Sequence, residues 1–436
     1  MFWKIVVVLF SVFVFSTAKS SIRRNQSAYS DEPQLIFAHV IHRHGDRNPI
    51  RSYPNDPWKD EEQFWEEGFG QLTNIGINQE YELGTYLRKR YASLLGDGGY
   101  SNDNVYIQST DVDRTLNSAQ AVAAGLFPPE NDQIWNADLL WQPIPIHTIP
   151  KEMDHVLYAG RPCSRYQRAM RKHLQSLEYT TLMAKHKQLF DYLQENAGIQ
   201  IHSLDDVDIL YNTLWIEQLK EKSLPFWTDE VFLPGSDFEM LAYLNFRLAT
   251  NTTEMARLTV GFLIRDILDR FSSKIESTLL PNRSLHIYSA HDSTIANFLN
   301  AIGLFELHNP PYASSLHIEL YKLNADHYMQ IFYRNSSDEN LQPLEIPLCG
   351  QNCSLEMFRS IYSEIIPTET FEEECELPFY LEILEGSNIC ISNEWFVSIM
   401  CFVVMLPIMI IVLWRVSSSK RGNIALENDN NNMKYL

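Results

Sequence analysis

The chain has 436 residues, of which 45% are hydrophobic and 21% are charged, a composition typical of globular rather than disordered proteins. Its 35 basic and 55 acidic residues give a formal net charge of −20, which argues against a nucleic-acid-binding protein because such a protein needs a basic face. The same charge repels anions, so any site for an anionic ligand must concentrate positive side chains locally.

The N-terminus has the pattern of a secretory signal peptide. Lys4 precedes an apolar run over residues 5–15, and small residues follow at 16–18. Because the run is too short to span a bilayer, we expect a signal peptide over residues 1–19 that is cleaved; the alternative is an uncleaved anchor.

The next segments alternate between strand and helix. An aliphatic strand is predicted over residues 35–41 and a helix over 73–91. A second strand at 105–107 precedes a helix at 114–124. Strand followed by helix is typical of an α/β fold.

The middle of the chain, from about 150 to 280, has apolar residues at helical spacing. Strand patterns then return at 285–288, 316–321 and 328–333. The sequence therefore predicts an α/β domain made from residues of about 33–150 and 281–375, with a smaller, mainly helical insertion at about 150–280.

A second apolar run lies near the C-terminus. Residues 395–414 contain no charged side chain, are long enough to cross a bilayer, and begin and end with tryptophan. Basic residues follow at once, and positive charge stays cytoplasmic. We therefore expect a single transmembrane helix at 395–414, a cytoplasmic tail at 415–436 and a luminal or extracellular ectodomain at 20–394; a buried core helix is the alternative.

Features of the ectodomain fit a luminal location. Five Asn-x-Ser/Thr sequons predict glycosylation at Asn25, Asn251, Asn282, Asn335 and Asn352.

Luminal cysteines usually pair. The spacing of Cys349 and Cys353 favours a small disulfide loop over a metal site, since no second Cys or His pair accompanies them. The residues alone leave open how Cys163, Cys375 and Cys390 pair.

The segment with the sharpest chemical pattern is 43–47, directly after the first strand, a place where α/β sheets bind ligands. It sets His44 between Arg43 and Arg47, with Gly45 allowing the backbone to approach a ligand. Guanidinium groups match phosphate oxygens, and an imidazole can carry a phosphoryl group covalently.

Two further polar segments also lie between a strand and a helix. Residues 109–115 include Arg114, which at a helix start favours an anion; taken alone, it could be a surface arginine paired with neighbouring aspartates. Residues 289–294 include His291 and Asp292, and Asp292 alone could be a helix N-cap. Together the three segments supply a nucleophile, a cationic cradle and a carboxylic acid.

In order and spacing, the three segments resemble those of the histidine acid phosphatases. The likeness extends from about Gln34 to Cys375 and is greatest to the animal lysosomal, prostatic and testicular enzymes; the membrane span resembles that of the lysosomal and testicular members. Further matching motifs lie at 68–73, 81–84, 140–145, 310–314 and 332–335.

The resemblance implies a sheet flanked by helices, like that of the phosphoglycerate mutases, and an acid phosphatase that hydrolyses phosphate monoesters. We expect no metal or other cofactor, since the arginine side chains already supply the positive charge. The resemblance further implies that His44 is the nucleophile and Asp292 the proton donor. The phosphoryl oxygens would be held by Arg43, Arg47, Arg114 and His291. Nearby arginines should lower the pKa of His44 and keep it neutral in acid.

The resemblance also implies two disulfides, Cys163 with Cys375 and Cys349 with Cys353. The vertebrate enzymes have a further cysteine where this chain has Ser315, and its partner in the insertion is missing too. We therefore expect a more loosely held insertion.

Several alternatives stay open. The substrate could be specialised, such as an inositol polyphosphate or a lysophospholipid phosphate, or the ectodomain could be a non-catalytic cell-surface module. The expected partners are a small phosphomonoester, the membrane through one helix and a second copy in a homodimer, with no nucleic acid. The expected location is the lysosomal or plasma membrane.

Overall fold

The computed structural model describes residues 32–335, 341–377 and 405–411. The predicted signal peptide, the predicted cytoplasmic tail and most of the predicted membrane span lie outside these residues. Residues 405–411 form a short helix in a unit separate from residues 1–375. Among the described residues, no helix combines the length and apolar character needed to cross a membrane.

The described residues form a mixed seven-stranded sheet, in which β1 lies at the centre. Its order is β3-β2-β4-β1-β5-β6-β7, with β1 to β4 parallel and the remaining strands antiparallel. The strands are β1 (Gln34–Arg43), β2 (Val105–Thr110), β3 (His147–Ile149), β4 (Leu285–Ala290), β5 (Ser315–Leu323), β6 (Asp326–Arg334) and β7 (Gln342–Leu344). The predicted α/β class is confirmed, and each predicted strand is present with slightly wider limits.

Helices cover both faces of the sheet and make up most of the insertion. They are α1 (Glu61–Phe64), α2 (Asn74–Arg90), α3 (Ala92–Leu95), α4 (Asp113–Leu126), α5 (Ser164–Leu174), α6 (Leu177–Lys185), α7 (Lys187–Ala197), α8 (Leu204–Leu219), α9 (Asp237–Leu248), α10 (Thr253–Thr259), α11 (Gly261–Ile275), α12 (Asp292–Ala301), α13 (Leu355–Ile361) and α14 (Phe371–Cys375). Thr73 begins α2 as its N-cap, accepting the Gly76 N–H, as expected of a threonine there.

The alternation of side chains along β1 produces two apolar layers. Phe37 and Ile41 point into a layer shared with α11 and α12, whereas Ala38 and Val40 point into one shared with α2 and α4. The sheet is therefore buried on both faces, which fixes its register and the positions of the loops that follow its strands.

Within the predicted insertion, α7, α8 and α9 form most of a separate apolar core, whereas α11, which lies in the same range, packs against the sheet. Hydrogen bonds also link the predicted insertion to residues outside it. Thr213 Oγ1 donates to Arg51 O at 3.1 Å, and Trp58 Nε1 donates to Ser223 O at 3.0 Å. Ser315, at the position of the family's cysteine, is buried and lies 2.9 Å from His317 Nε2.

Both disulfides implied by the resemblance are present. Cys163 is bonded to Cys375, joining the start of α5 to α14 across 212 residues of sequence. Cys349 is bonded to Cys353, closing a loop with a sequence separation of 4. The disulfide alternative to a metal site is therefore correct for this pair.

Candidate active site

Three parallel strands bring the three predicted polar segments together. Because β4 lies between β2 and β1, and all three run in the same direction, their carboxyl ends meet at one edge of the sheet. The loop with His291 therefore lies between the loop with Arg114 and the loop with His44. All six predicted site residues come from this edge.

The loop after β1 holds His44 rigidly. The His44 N–H donates to Ala290 O at 3.2 Å, and His44 O accepts the Ala313 N–H at 3.2 Å. The next residue must be glycine, since a Cβ on Gly45 would lie 2.3 Å from Gly76 O in the first turn of α2. The imidazole is buried with 1% exposure, so its position is set by the fold.

One hydrogen bond determines which nitrogen of His44 can react. Nδ1 lies 2.9 Å from Gly45 O, and a carbonyl oxygen can only accept, so Nδ1 carries the proton. Nε2 then keeps its lone pair. Burial first, and the Arg114, Arg43 and Arg47 guanidiniums second, hold the pKa of His44 well below its ordinary value, which keeps the ring neutral in acid.

Arg43 is fully buried and held on several sides. Its Nη1 donates to Pro310 O and to Asn309 Oδ1, the latter at 3.3 Å, and its Nη2 forms an ion pair with Asp292 Oδ2 at 2.8 Å. The guanidinium also lies 4.3 Å from the centre of the Tyr312 ring. These contacts fix the plane of the guanidinium beside His44.

Arg47 and Arg114 bring two more cations to the same place. Arg47 is 4% exposed, and its Nη1 donates to Asn48 O at 3.1 Å. Burial, followed by repulsion from Arg47, lowers the pKa of Arg114 to about 10, as expected where cations are crowded. Arg114 is half-buried and its Nη2 lies 3.5 Å from His291 Nδ1, so it lies beside the other predicted site residues rather than on the open surface.

The three arginines have unused donors. The Nε atoms of Arg43, Arg47 and Arg114 are buried, and none has a hydrogen-bond acceptor in the described part of the chain. Buried donors are nearly always paired, so three such donors close to His44 make this edge a candidate binding place for an anion with several oxygens.

His291 joins the loops after β2 and β4. Its Nδ1 lies 3.5 Å from Arg114 Nη2, which can only donate, so Nδ1 accepts and Nε2–H donates to Thr110 Oγ1 at 3.0 Å. Burial, then Arg114, lower the pKa of His291 to about 3. The neutral ring therefore orients Arg114.

Asp292 is the first residue of α12, and the N-cap position belongs to His291. The alternative reading of Asp292 as the N-cap is therefore wrong by one residue. Its Oδ1 accepts the Ser293 N–H at 2.7 Å, and its Oδ2 binds Arg43. Burial raises its pKa, but Arg43, Arg47 and His291 together outweigh burial, so the net pKa is lowered.

An aromatic wall, which sequence reasoning did not assign to the site, borders these residues. The Tyr312 ring lies 6.0 Å from the His44 ring and 5.4 Å from Trp215 of α8. Tyr312 stood in a recognised motif, whereas Trp215 had no local signal because its role depends on how the insertion packs. The wall is half-exposed and borders the space beside His44.

No group of three or more His, Cys, Asp or Glu side chains is arranged to hold a metal ion within the described ranges. The positive charge in this site comes from arginine side chains.

A known protein family and several known proteins are similar to this chain over most of its length. The model of the histidine phosphatase superfamily (branch 2) matches residues 34–334, which include all three loops. The chain belongs to this superfamily. Among curated relatives of this histidine phosphatase, rat prostatic acid phosphatase is 39% identical over 345 residues, covering 78% of this chain and 89% of the relative. Human lysosomal acid phosphatase is 34% identical over 396 residues, covering 89% of this chain and 90% of the relative.

Solved structures support the same fold for this histidine phosphatase. The phytase of Hafnia alvei matches with a TM-score of 0.57 at 19% identity, covering 79% of this chain and 99% of the phytase. The phytase of Citrobacter braakii matches with a TM-score of 0.57 at 18% identity, covering 79% of this chain and 100% of the phytase. At these identities the likeness concerns the fold alone.

Proposed function

We propose that this acid phosphatase hydrolyses phosphate monoesters in two steps, through a covalent phosphohistidine on His44. The observation that carries the proposal is the hydrogen bond from His44 Nδ1 to Gly45 O. It leaves Nε2 with a lone pair, among three arginines whose Nε–H groups lack acceptors in the described structure. A neutral imidazole in a cationic pocket is suited to attack an anionic phosphorus centre.

Substrate binding uses the cationic cradle. The phosphate oxygens accept hydrogen bonds from Arg43, Arg47 and Arg114, and His291 borders the oxygen nearest Arg114. Negative charge spreads over these oxygens in the transition state, so fixed guanidinium donors stabilise it without having to reorganise. The cradle also overcomes the net negative charge of the chain, because the positive groups are local.

The first step forms the N–P bond and breaks the ester P–O bond. His44 Nε2 attacks phosphorus while Asp292, as a carboxylic acid, donates its proton to the leaving oxygen. The alcohol departs and Asp292 is left as a carboxylate. In the second step water attacks phosphorus, Asp292 takes one proton from the water, and the N–P electron pair returns to Nε2, so both side chains are restored.

Asp292 needs a proton, although Arg43, Arg47 and His291 together outweigh burial and lower its pKa. A bound phosphate dianion competes for the Arg43 guanidinium and adds negative charge beside the carboxylate, and both effects raise the pKa of Asp292. Acidic pH works in the same direction. The bound substrate therefore weakens the ion pair between Arg43 and Asp292.

Turnover of an aryl phosphate separates an enzyme from a non-catalytic cell-surface module. We expect wild-type protein to release p-nitrophenol from p-nitrophenyl phosphate at acidic pH and the His44→Ala variant to lose this activity while melting at the wild-type temperature. Inactive wild-type protein, or an active His44→Ala variant, would contradict the proposed mechanism.

We also propose a secretory-pathway or lysosomal location, which the prostatic and lysosomal names of the relatives support. Three of the predicted glycosylation sites, Asn251, Asn282 and Asn352, are exposed, and Asn335 is half-buried; Asn25 lies outside the described residues. The proposal includes cleavage after residues 1–19 and an anchor at 395–414. A chain ending before Trp395 should be secreted, glycosylated and active, and retention of that protein in membranes would contradict the anchor.

The proposed assembly is a homodimer. The edge strand β3 follows a segment with exposed apolar side chains, among them Trp135 at 59% and Leu140 at 70% exposure. Exposed edges and apolar patches of this kind are typical of association surfaces. Light scattering should give twice the chain mass for wild type and the single mass for a Leu140→Glu variant. A monomeric wild type would contradict the dimer.

A further inference from the structure

The catalytic loop contains a buried carboxylate that the mechanism above does not use. Asp46 lies between His44 and Arg47 and is 5% exposed. Its N–H donates to Gln79 Oε1 at 2.8 Å, its carbonyl oxygen accepts the Thr73 N–H at 3.0 Å, and its Oδ1 accepts Thr73 Oγ1–H at 2.6 Å. Negative charge at this place opposes the binding of a phosphate dianion in the adjacent cradle.

The countercharge for Asp46 comes from the insertion. Lys220 follows the last turn of α8, and its Nζ forms an ion pair with Asp46 Oδ1. The two side chains are 18% and 6% exposed, so water screens the pair poorly. The residues are 174 positions apart in sequence, and this contact joins the helical insertion directly to the catalytic loop.

We propose that Lys220 is a positioning residue for phosphate binding. By offsetting the negative charge of Asp46, it reduces the repulsion between the catalytic loop and a bound anion. This inference rests on the proposed role of the arginine cradle. Its consequence is that part of the phosphate affinity depends on how the insertion docks, although the insertion contributes none of the six predicted site residues. A side chain at position 220 that only held the catalytic loop in place would not need to carry a charge.

The test compares the competitive inhibition constant of inorganic phosphate, and the KM and kcat for p-nitrophenyl phosphate, at one acidic pH. Lys220→Met should raise the phosphate inhibition constant and KM by about tenfold, because it leaves the buried carboxylate of Asp46 without a countercharge near the cradle. Lys220→Arg should stay near wild type. Asp46→Asn alone should bind phosphate at least as tightly as wild type.

The double variant Lys220→Met with Asp46→Asn distinguishes charge from mechanical support. Removing both charges should restore the inhibition constant to within about threefold of wild type. A double variant as poor as Lys220→Met would overturn the proposal in favour of a structural tie. If Lys220→Met fails to fold, Asp46→Asn still decides, since weaker phosphate binding by that variant would contradict the proposal.

Lys222→Met is the matched control. It removes one positive charge two residues away, where Nζ lies 4.6 Å from the Trp65 ring and 4.8 Å from the Trp58 ring. Its phosphate inhibition constant should remain near wild type; a tenfold rise would show a general field effect and overturn the specific role of Lys220. Wild-type protein that does not bind phosphate would instead refute the cradle itself.

Discussion

Replacing Asp292 by asparagine should have two effects of opposite sign. The amide cannot donate a proton to a leaving alkoxide, and general acid catalysis typically contributes ~10²–10⁴-fold. The kcat for an alkyl phosphate should fall by a factor in that range, while p-nitrophenyl phosphate, whose leaving group needs little protonation, should lose far less. The same substitution removes the carboxylate that binds Arg43 Nη2 at 2.8 Å.

The release of Arg43 should strengthen phosphate binding. The Asp292 side chain is 17% exposed and that of Arg43 is 0% exposed, so the ion pair is poorly screened. Phosphate must compete with this carboxylate for Arg43, and we expect its removal to contribute about 1–2 kcal/mol to phosphate binding, roughly tenfold. The inhibition constant of inorganic phosphate should fall by that factor even as turnover falls.

The assay measures single-turnover phosphorylation with both substrates, and phosphate inhibition, at one acidic pH. Asp113→Asn is the matched control, because Asp113 occupies the first position of α4 as Asp292 does in α12, but is exposed. The control should change neither the substrate ratio nor the inhibition constant. Equal losses on both substrates in the phosphorylation step of Asp292→Asn would refute its role as the proton donor.

Three further outcomes follow from burial and packing. Burial, then His286 and Arg270, hold the pKa of His39 well below its ordinary value. The stability that this neutral residue contributes is therefore full above about pH 6.5 and is lost as pH falls, at about 1.4 kcal/mol per pH unit. His39→Phe, whose ring fits between Phe37 and Phe271, should flatten the fall of Tm from pH 7 to pH 5, and an unchanged slope would contradict this. Gly45→Ala should lower kcat by about 100-fold or more, because the added Cβ would lie 2.3 Å from Gly76 O and must displace the loop; wild-type kinetics would refute the packing. Replacing Cys163 and Cys375 by serine should lower the free energy of unfolding by about 5 kcal/mol, against about 2 kcal/mol for Cys349 and Cys353, because the first bond closes a far longer loop; denaturant titration giving the reverse order would contradict this.

Local patterns were sufficient to predict most of the α/β core. The aliphatic run of β1 and the helical spacing of α2 each act over a few residues, so their elements were found with limits close to those observed. The three polar loops were predictable because parallel strands place their carboxyl ends together. The Cys163–Cys375 pairing was predicted by family resemblance and could not have been derived from spacing.

Other features depend on long-range packing and had no local signal. Trp215 borders the site only because α8 packs beside Tyr312. Lys220 contacts Asp46 only because α8 ends next to the catalytic loop. The ion pair between Arg43 and Asp292 was also not predicted, although both residues were. Sequence therefore predicted which side chains lie together, and the structure adds which of them contact each other.

The central claim is tested most directly by identifying the phosphorylated atom. Wild-type protein is mixed with phosphate-labelled substrate, quenched within milliseconds in alkaline detergent to preserve phosphohistidine, and digested for peptide mapping and separation of the two phosphohistidine isomers. Because Nδ1 of His44 is bound to Gly45 O, the label should lie on Nε2 of His44 and be absent from His44→Ala. Label on Nδ1, on His291 or on any other residue would contradict the account.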